Sequence, residues 1–161
     1  MGKVIHSWEE MADILAEHRA RSERIVSTNG VFDLLHVGHV RTLQAARALG
    51  DLLVVGINSD DGTRRLKGPE RPFVPQEERA EVLAALACVD YVTFFDEPTP
   101  SALLEIIRPA IHVKGGDYTV GAMPETEVVE RHGGTVVTLP FVAGHSTTDL
   151  ARRVLANRKL N

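Results

Sequence analysis

The chain has 161 residues, 43% of them hydrophobic and 25% charged, which is enough apolar material for one core without covalent staples. A formal net charge of -4 at pH 7 argues against a general nucleic-acid binder but leaves room for a locally positive pocket. The lone cysteine, Cys88, excludes an internal disulfide and a cysteine-built zinc site, and no apolar run is long enough for a signal core or a bilayer span. These numbers predict one domain over residues 1–161, in a cytoplasmic protein that engages neither nucleic acid nor membrane.

Along the chain, Ser7 and Glu10 match a capping box, and Met11, Ile14 and Leu15 follow at helical spacing, predicting a helix over 8–20. Ile25 to Thr28 reads as a buried strand, followed by an Asn29-Gly30 turn. From Gly38, Val40, Leu43, Ala46 and Leu49 fall on one helical face, and Gly50 is placed to end that helix. Leu52 to Ile57 is an apolar run suited to a central strand covered on both faces. The polar stretch 58–75 predicts a long loop carrying Arg64, Arg65, Lys67 and Arg71. A helix over 76–87, a strand over 91–95, a helix over 101–107 and a strand over 111–114 come next, the last broken by Gly115-Gly116. Pro124 opens a helix to His132, 135–139 is the last strand, and 148–155 is the closing helix.

This alternation predicts an α/β fold: a Rossmann-like, parallel, five-stranded sheet with helices on both faces. Ligands of such sheets sit beyond the carboxyl ends of the strands, which directs attention to 29–39, 58–75, 114–119 and 140–148. No Gly-x-Gly-x-x-Gly follows the first strand and no Gly-Lys-Ser/Thr occurs, so dinucleotide oxidoreductases and P-loop proteins are excluded.

His36 and His39 lie three residues apart where the chain enters a helix, a spacing that puts both on one side of the first turn. A helix start offers free N–H groups and partial positive charge to an anion, and Gly38 permits close approach. Two imidazoles there suit charge building on phosphate oxygens. A zinc pair is disfavoured, because no further ligands follow at metal spacing. Ser146-Thr147-Thr148, at the start of the last helix, offers a second anion site.

The string Gly30-Val31-Phe32-Asp33-Leu34-Leu35-His36-Val37-Gly38-His39 resembles the signature of the cytidylyltransferase-like nucleotidyltransferase superfamily, the His-x-Gly-His type. The resemblance implies that His36 and His39 contact a triphosphate and stabilise the transition state with no covalent intermediate, supplying positive potential together with Lys67. It implies that Val31, Phe32, Gly38, Lys114, Gly115 and Asp117 bind the nucleotide, and that Ser146, Thr147 and Thr148 hold its outer phosphates. Asp33, which also suits a hydrogen-bonded buttress of the histidine turn, is implied with Asn58 and Arg79 as an acceptor contact. Magnesium would travel with the triphosphate, no dedicated metal site is expected, and dimers are common among similar enzymes.

Further strings, among them Arg65-Leu66-Lys67-Gly68, Arg71-Pro72 and Val113-Lys114-Gly115-Gly116-Asp117-Tyr118, resemble the adenylyltransferases that pass AMP from ATP to D-glycero-β-D-manno-heptose 1-phosphate. Glycerol-phosphate cytidylyltransferases are the competing branch, but Phe141 stands where they carry an arginine. A nucleotide-binding sensor without catalysis is the rival from another class. Of the other histidines, His112 is expected to be packed and hydrogen-bonded inside a strand, and His6, His18 and His132 to lie on the surface. Cys88 is expected to be a small apolar filler.

Overall fold

The computed structural model describes residues 1–116, 123–140 and 147–157. Its elements, in chain order, are β1 (Lys3–Val4), α1 (Trp8–Ala20), β2 (Ile25–Gly30), α2 (Val37–Arg47), β3 (Leu52–Asn58), α3 (Asp60–Lys67), α4 (Gln76–Ala84), β4 (Tyr91–Phe95), α5 (Ser101–Ile107), β5 (Ile111–Gly115), α6 (Pro124–Arg131), β6 (Thr135–Leu139) and α7 (Thr147–Asn157). All paired strands are parallel, in the order β1-β4-β3-β2-β5-β6.

Among the described residues the sheet has six strands where the sequence predicts five. The addition is β1, two residues paired with Tyr91 and Val92. So short a segment has no periodicity to detect, and only its partner strand defines it. A second difference falls in the predicted loop 58–75, where 60–67 is helical. Ser59 caps α3 by accepting the Gly62 N–H at 2.9 Å. Asp60 and Asp61 occupy its first turn, Arg64, Arg65 and Lys67 its last, and Gly68 ends it at φ 100. The charges match the helix dipole at both ends, which compensates for the lack of an apolar stripe. A third difference is that β2 runs on through Asn29 and Gly30, where a turn is expected.

Alternate residues of β3 point to opposite faces, as strand geometry dictates. Leu53, Val55 and Ile57 join Leu43 and Ala46 of α2 and Ala80, Leu83 and Ala84 of α4 in one core. Leu52 and Val54 join Met11 and Leu15 of α1 and Leu103 and Ile107 of α5 on the other side. A smaller cluster links Leu104 to Val128 and Val129 of α6 and Val136 of β6. Helices therefore cover both faces. Among the described residues no helix is long and apolar enough to cross a membrane.

Chain order reverses between β2 and β5, which are neighbours in the sheet. Two buried contacts stitch this seam: Thr28 Oγ1 donates to the Val113 carbonyl at 2.8 Å, and Ser27 Oγ meets His112 Nδ1 at 2.7 Å. His112 is thus packed and hydrogen-bonded as expected, and burial pushes its pKa down to about 3.

Candidate active site

The crevice beyond the carboxyl ends of β2 and β5 is where an open parallel sheet binds its ligand. A cleft of about 410 Å³ opens there. Val31, Phe32, Asp33, His39, Asn58, Lys67, Lys114, Gly115 and Thr147 all line it. Residues far apart in the chain, predicted from separate motifs, therefore share one cavity.

The histidine turn forms its rim. His36 is the N-cap residue of α2, and its side chain makes no capping bond there. The rings of His36 and His39 stack at 3.8 Å with 20° between planes, as their spacing predicts. Phe32 lies 5.2 Å from the His39 ring and holds a left-handed backbone at φ 49. Such a conformation costs about 1–3 kcal/mol for a non-glycine residue and is typical of functional turns. Gly30 makes room for this arrangement, because a Cβ there would stand 3.0 Å from the Phe32 ring. Gly38 is buried in the first turn of α2.

Burial, reinforced by the positive charges of His36 and Lys67, pushes the His39 pKa down to about 4. His39 is therefore neutral at pH 7 in this structure and offers a ring N–H as a hydrogen-bond donor, which is what the sequence asked of it. Its Nδ1 is buried and bonds to no group among the described residues. Lys67 supplies the charge: it is exposed, ends α3 and lines the cleft. It sits on a helix terminus rather than in a loop.

Opposite the rim, Lys114 Nζ donates to Asn29 Oδ1 at 3.1 Å across the strand reversal and pairs with Glu125 Oε1 at 2.5 Å. Glu125 is buried, and the ammonium helps hold its carboxyl below the usual range against the desolvation that raises it. At the far end, Thr147 Oγ1 lies 3.5 Å from the Leu34 carbonyl, bringing the start of α7 against the histidine turn. Thr148 is exposed on α7 and does not line the cleft. Asp117 and Ser146, with Tyr118 and Phe141, lie outside the described residues.

Of the expected acceptor contacts, Arg79 is kept out of the cleft by its packing, while Asp33 borders the cleft with its carboxylate already bonded. Arg79 is 2% exposed and spends its guanidinium inside the protein. Nε donates to the Val74 carbonyl at 2.9 Å, Nη1 to Val31 at 2.6 Å, and Nη2 to the Asn58 carbonyl at 3.0 Å and Asp60 Oδ1 at 2.7 Å. It ties the ends of β2 and β3 to the starts of α3 and α4, and so shapes the cleft without entering it. Asp33 is equally occupied: Oδ1 accepts the N–H groups of Phe73 at 2.8 Å and Val74 at 3.0 Å, while Oδ2 accepts Arg71 Nε at 2.6 Å. It is a buttress, but of the 71–74 segment rather than of the histidine turn that the sequence suggested. Asn58 is buried but does line the cleft.

Sequence reasoning missed Asn29, Arg71 and Glu125, which also line it. Asn29 was masked by its turn-like Asn-Gly pair, and Glu125 by its place in an ordinary acidic first turn. His18 and His132, expected at the surface, are largely covered and paired with Glu23 and Glu105. His6 is exposed and Cys88 packs against the core as expected. Among the described residues no group of three or more His, Cys, Asp or Glu could hold a metal ion.

A parallel sheet that reverses order above a stacked histidine pair, with a helix start closing the same cleft, defines a nucleotide-handling α/β protein. The cytidylyltransferase-like family matches residues 27–153, and the chain belongs to that family of nucleotidyltransferases. It is 54% identical over 151 residues to the bifunctional protein HldE of Geobacter sulfurreducens, covering 94% of this chain and 31% of that protein. The bifunctional protein HldE of Syntrophotalea carbinolica is 54% identical over 147 residues, covering 91% and 30%. The chain thus spans under a third of the length of these curated relatives. Among solved structures it is similar to the lipopolysaccharide core biosynthesis protein of Thermoplasma volcanium, with a TM-score of 0.60 and 28% identity over 74% of this chain and 97% of that one. The pantoate-beta-alanine ligase of Francisella tularensis, at 12% identity and a TM-score of 0.58, shares the fold.

Proposed function

We propose that this chain is an adenylyltransferase that passes AMP from ATP to D-glycero-β-D-manno-heptose 1-phosphate, giving the ADP-sugar and pyrophosphate. The observation that carries the reading is the convergence of His39, with His36 stacked on it, Lys67 and Thr147 on one cleft at the strand reversal. The bifunctional name and greater length of the HldE relatives support it, since a third of such a chain is enough for one of two activities.

In this mechanism an acceptor phosphate oxygen attacks the α-phosphorus of ATP in line. The bond from that phosphorus to the oxygen bridging to the β-phosphorus breaks, and the electron pair leaves with pyrophosphate. The acceptor phosphate is already anionic, so positioning and charge stabilisation carry the catalysis. His39 donates its N–H to a phosphate oxygen, His36 stacks on it and donates alongside, and Lys67 neutralises charge on the leaving group. Thr147 and the start of α7 hold the outer phosphates, with Ser146 assigned to the same task. Lys114, Gly115 and Asp117 border the nucleoside together with Val31, Phe32 and Gly38, while Asn58 faces the acceptor. Magnesium arrives as part of the MgATP substrate, held by phosphate and water. We take residues 1–161 as one cytoplasmic transferase domain that works as a homodimer, for which the exposed Val82, Val154 and Leu155 offer apolar surface.

The test is pyrophosphate release with ATP, CTP or GTP paired with the heptose 1-phosphate or glycerol 3-phosphate. Release with ATP and the sugar phosphate at least ten-fold faster than with any other pair is the expected result. Preference for CTP with glycerol 3-phosphate overturns the choice of substrates, and ATP binding with no release from any pair makes the chain a sensor.

A further inference from the structure

Arg71 belongs to none of the roles assigned so far, yet it lines the cleft. Its side chain is 15% exposed, and Nε is engaged by Asp33, whose side chain is 1% exposed. Its guanidinium carbon stands 4.5 Å from the centroid of the Phe73 ring. One edge of the guanidinium is thus tied to a buried carboxylate and its face lies on an aromatic ring. The Arg71 bond to Asp33 Oδ2 is not needed to hold the segment, because the backbone N–H groups of Phe73 and Val74 already donate to Asp33 Oδ1. Among the described residues Asp33 is the hydrogen-bond partner of Arg71, through Nε, which leaves the two Nη groups to offer a planar fork to a ligand. A fork fixed in this way matches two oxygens of one phosphate, which a lysine ammonium cannot do.

Building on the proposed transfer, the geometry points to Arg71 as the residue that grips the phosphate of the acceptor. Two anions must meet in this reaction, and the acceptor phosphate needs a cation of its own beside the triphosphate. Of the three residues that the sequence offered for the acceptor, Arg79 and Asp33 are bonded internally and Asn58 carries no charge. Arg71 is the cation that Asp33 presents to the same cleft as Lys67 and His39. Asp33 and Phe73 are then positioning residues that act through Arg71.

The experiment compares the wild type with Arg71→Lys and Phe73→Leu by steady-state pyrophosphate release and by calorimetric binding of heptose 1-phosphate to protein saturated with a non-hydrolysable ATP analogue. Arg71→Lys is expected to raise the acceptor KM and Kd at least ten-fold, the scale for losing a charge-assisted bond, while the KM for ATP stays within two-fold. Phe73→Leu keeps the ion pair and is expected to give a smaller, few-fold rise in the same constants. Equal rises for ATP and acceptor, a rise for ATP alone, or unchanged acceptor binding would each overturn the assignment, as would a wild type that binds no acceptor. Acceptor binding that depends on Arg71 without pyrophosphate release would keep the phosphate site and reject the transfer reaction.

Discussion

The two ends of the sheet both carry histidines and charged side chains, and they use them in opposite ways. At the amino end a smaller cavity of about 240 Å³ is lined by His18, Glu23, Asp51, Asp90 and Tyr91 among others. There the groups satisfy one another. His18 is paired with Glu23 through one ring nitrogen and meets Tyr91 Oη at 2.9 Å through the other. Asp90 accepts Arg47 Nε at 3.0 Å and the Leu53 N–H at 2.7 Å, and Asp51 accepts the Arg24 N–H at 2.6 Å. At the carboxyl end His39 stacks on a second imidazole with no acid beside it, Lys67 has no ion-pair partner among the described residues, and a guanidinium is bonded along a single edge. Polar groups that complete one another hold a fold together, whereas groups left with donors to offer are equipped for a ligand.

That contrast can be broken by separating stability from turnover. Arg79 is the carboxyl-end group that behaves like the amino end. Arg79→Met should cost about 3 kcal/mol in urea unfolding, because Asp60 and buried carbonyls lose their donor. A loss under 1 kcal/mol would make its bonds redundant. His39→Ala should lower kcat by roughly a hundred-fold, the scale for one transition-state donor, with little change in melting temperature. His18→Ala should do the reverse, lowering the melting temperature while turnover stays within two-fold. A large kcat loss from His18→Ala would erase the distinction between the ends.

Acidification tests the buried imidazoles. Unfolded histidine titrates near 6.5, but folded His112 is pushed down to about 3 and His39 to about 4. As pH falls through that window the unfolded chain binds more protons, so stability is full above pH 6.5 and declines below it. The slope contributed by one such group approaches about 1.4 kcal/mol per pH unit. His112→Asn should flatten the decline in melting temperature between pH 6.5 and 4, and an unchanged slope would remove His112 from its cause. The smallest effect is expected at Thr147. Thr147→Val should raise the KM for ATP roughly three- to ten-fold, as for one lost hydrogen bond of ordinary strength, with kcat nearly unchanged.

Most of the sheet was legible in the sequence because Leu52–Ile57 and the amphipathic helices announce themselves by period. The α3 helix was not, since it has no apolar face, but its Ser-x-x-Gly cap and its acidic start and basic end were there to be read. In the site, the histidine pair and Lys67 stood out through their string. Glu125 did not, because an acidic residue in a helix's first turn is commonplace until burial against Lys114 gives it a task.

Sequence alone determined the alternation of strands and helices, the anion-ready helix starts and the family, because each rests on local patterns of apolarity, glycine and capping residues. Tertiary structure alone decided which charges face the cleft. Arg71 and Arg79 stand in the same short stretch with the same chemistry, and only the packing of β2, β3 and α4 buries one and leaves the other at the cavity. A guanidinium's role follows from the acceptors already around it, and those come from residues distant in the chain.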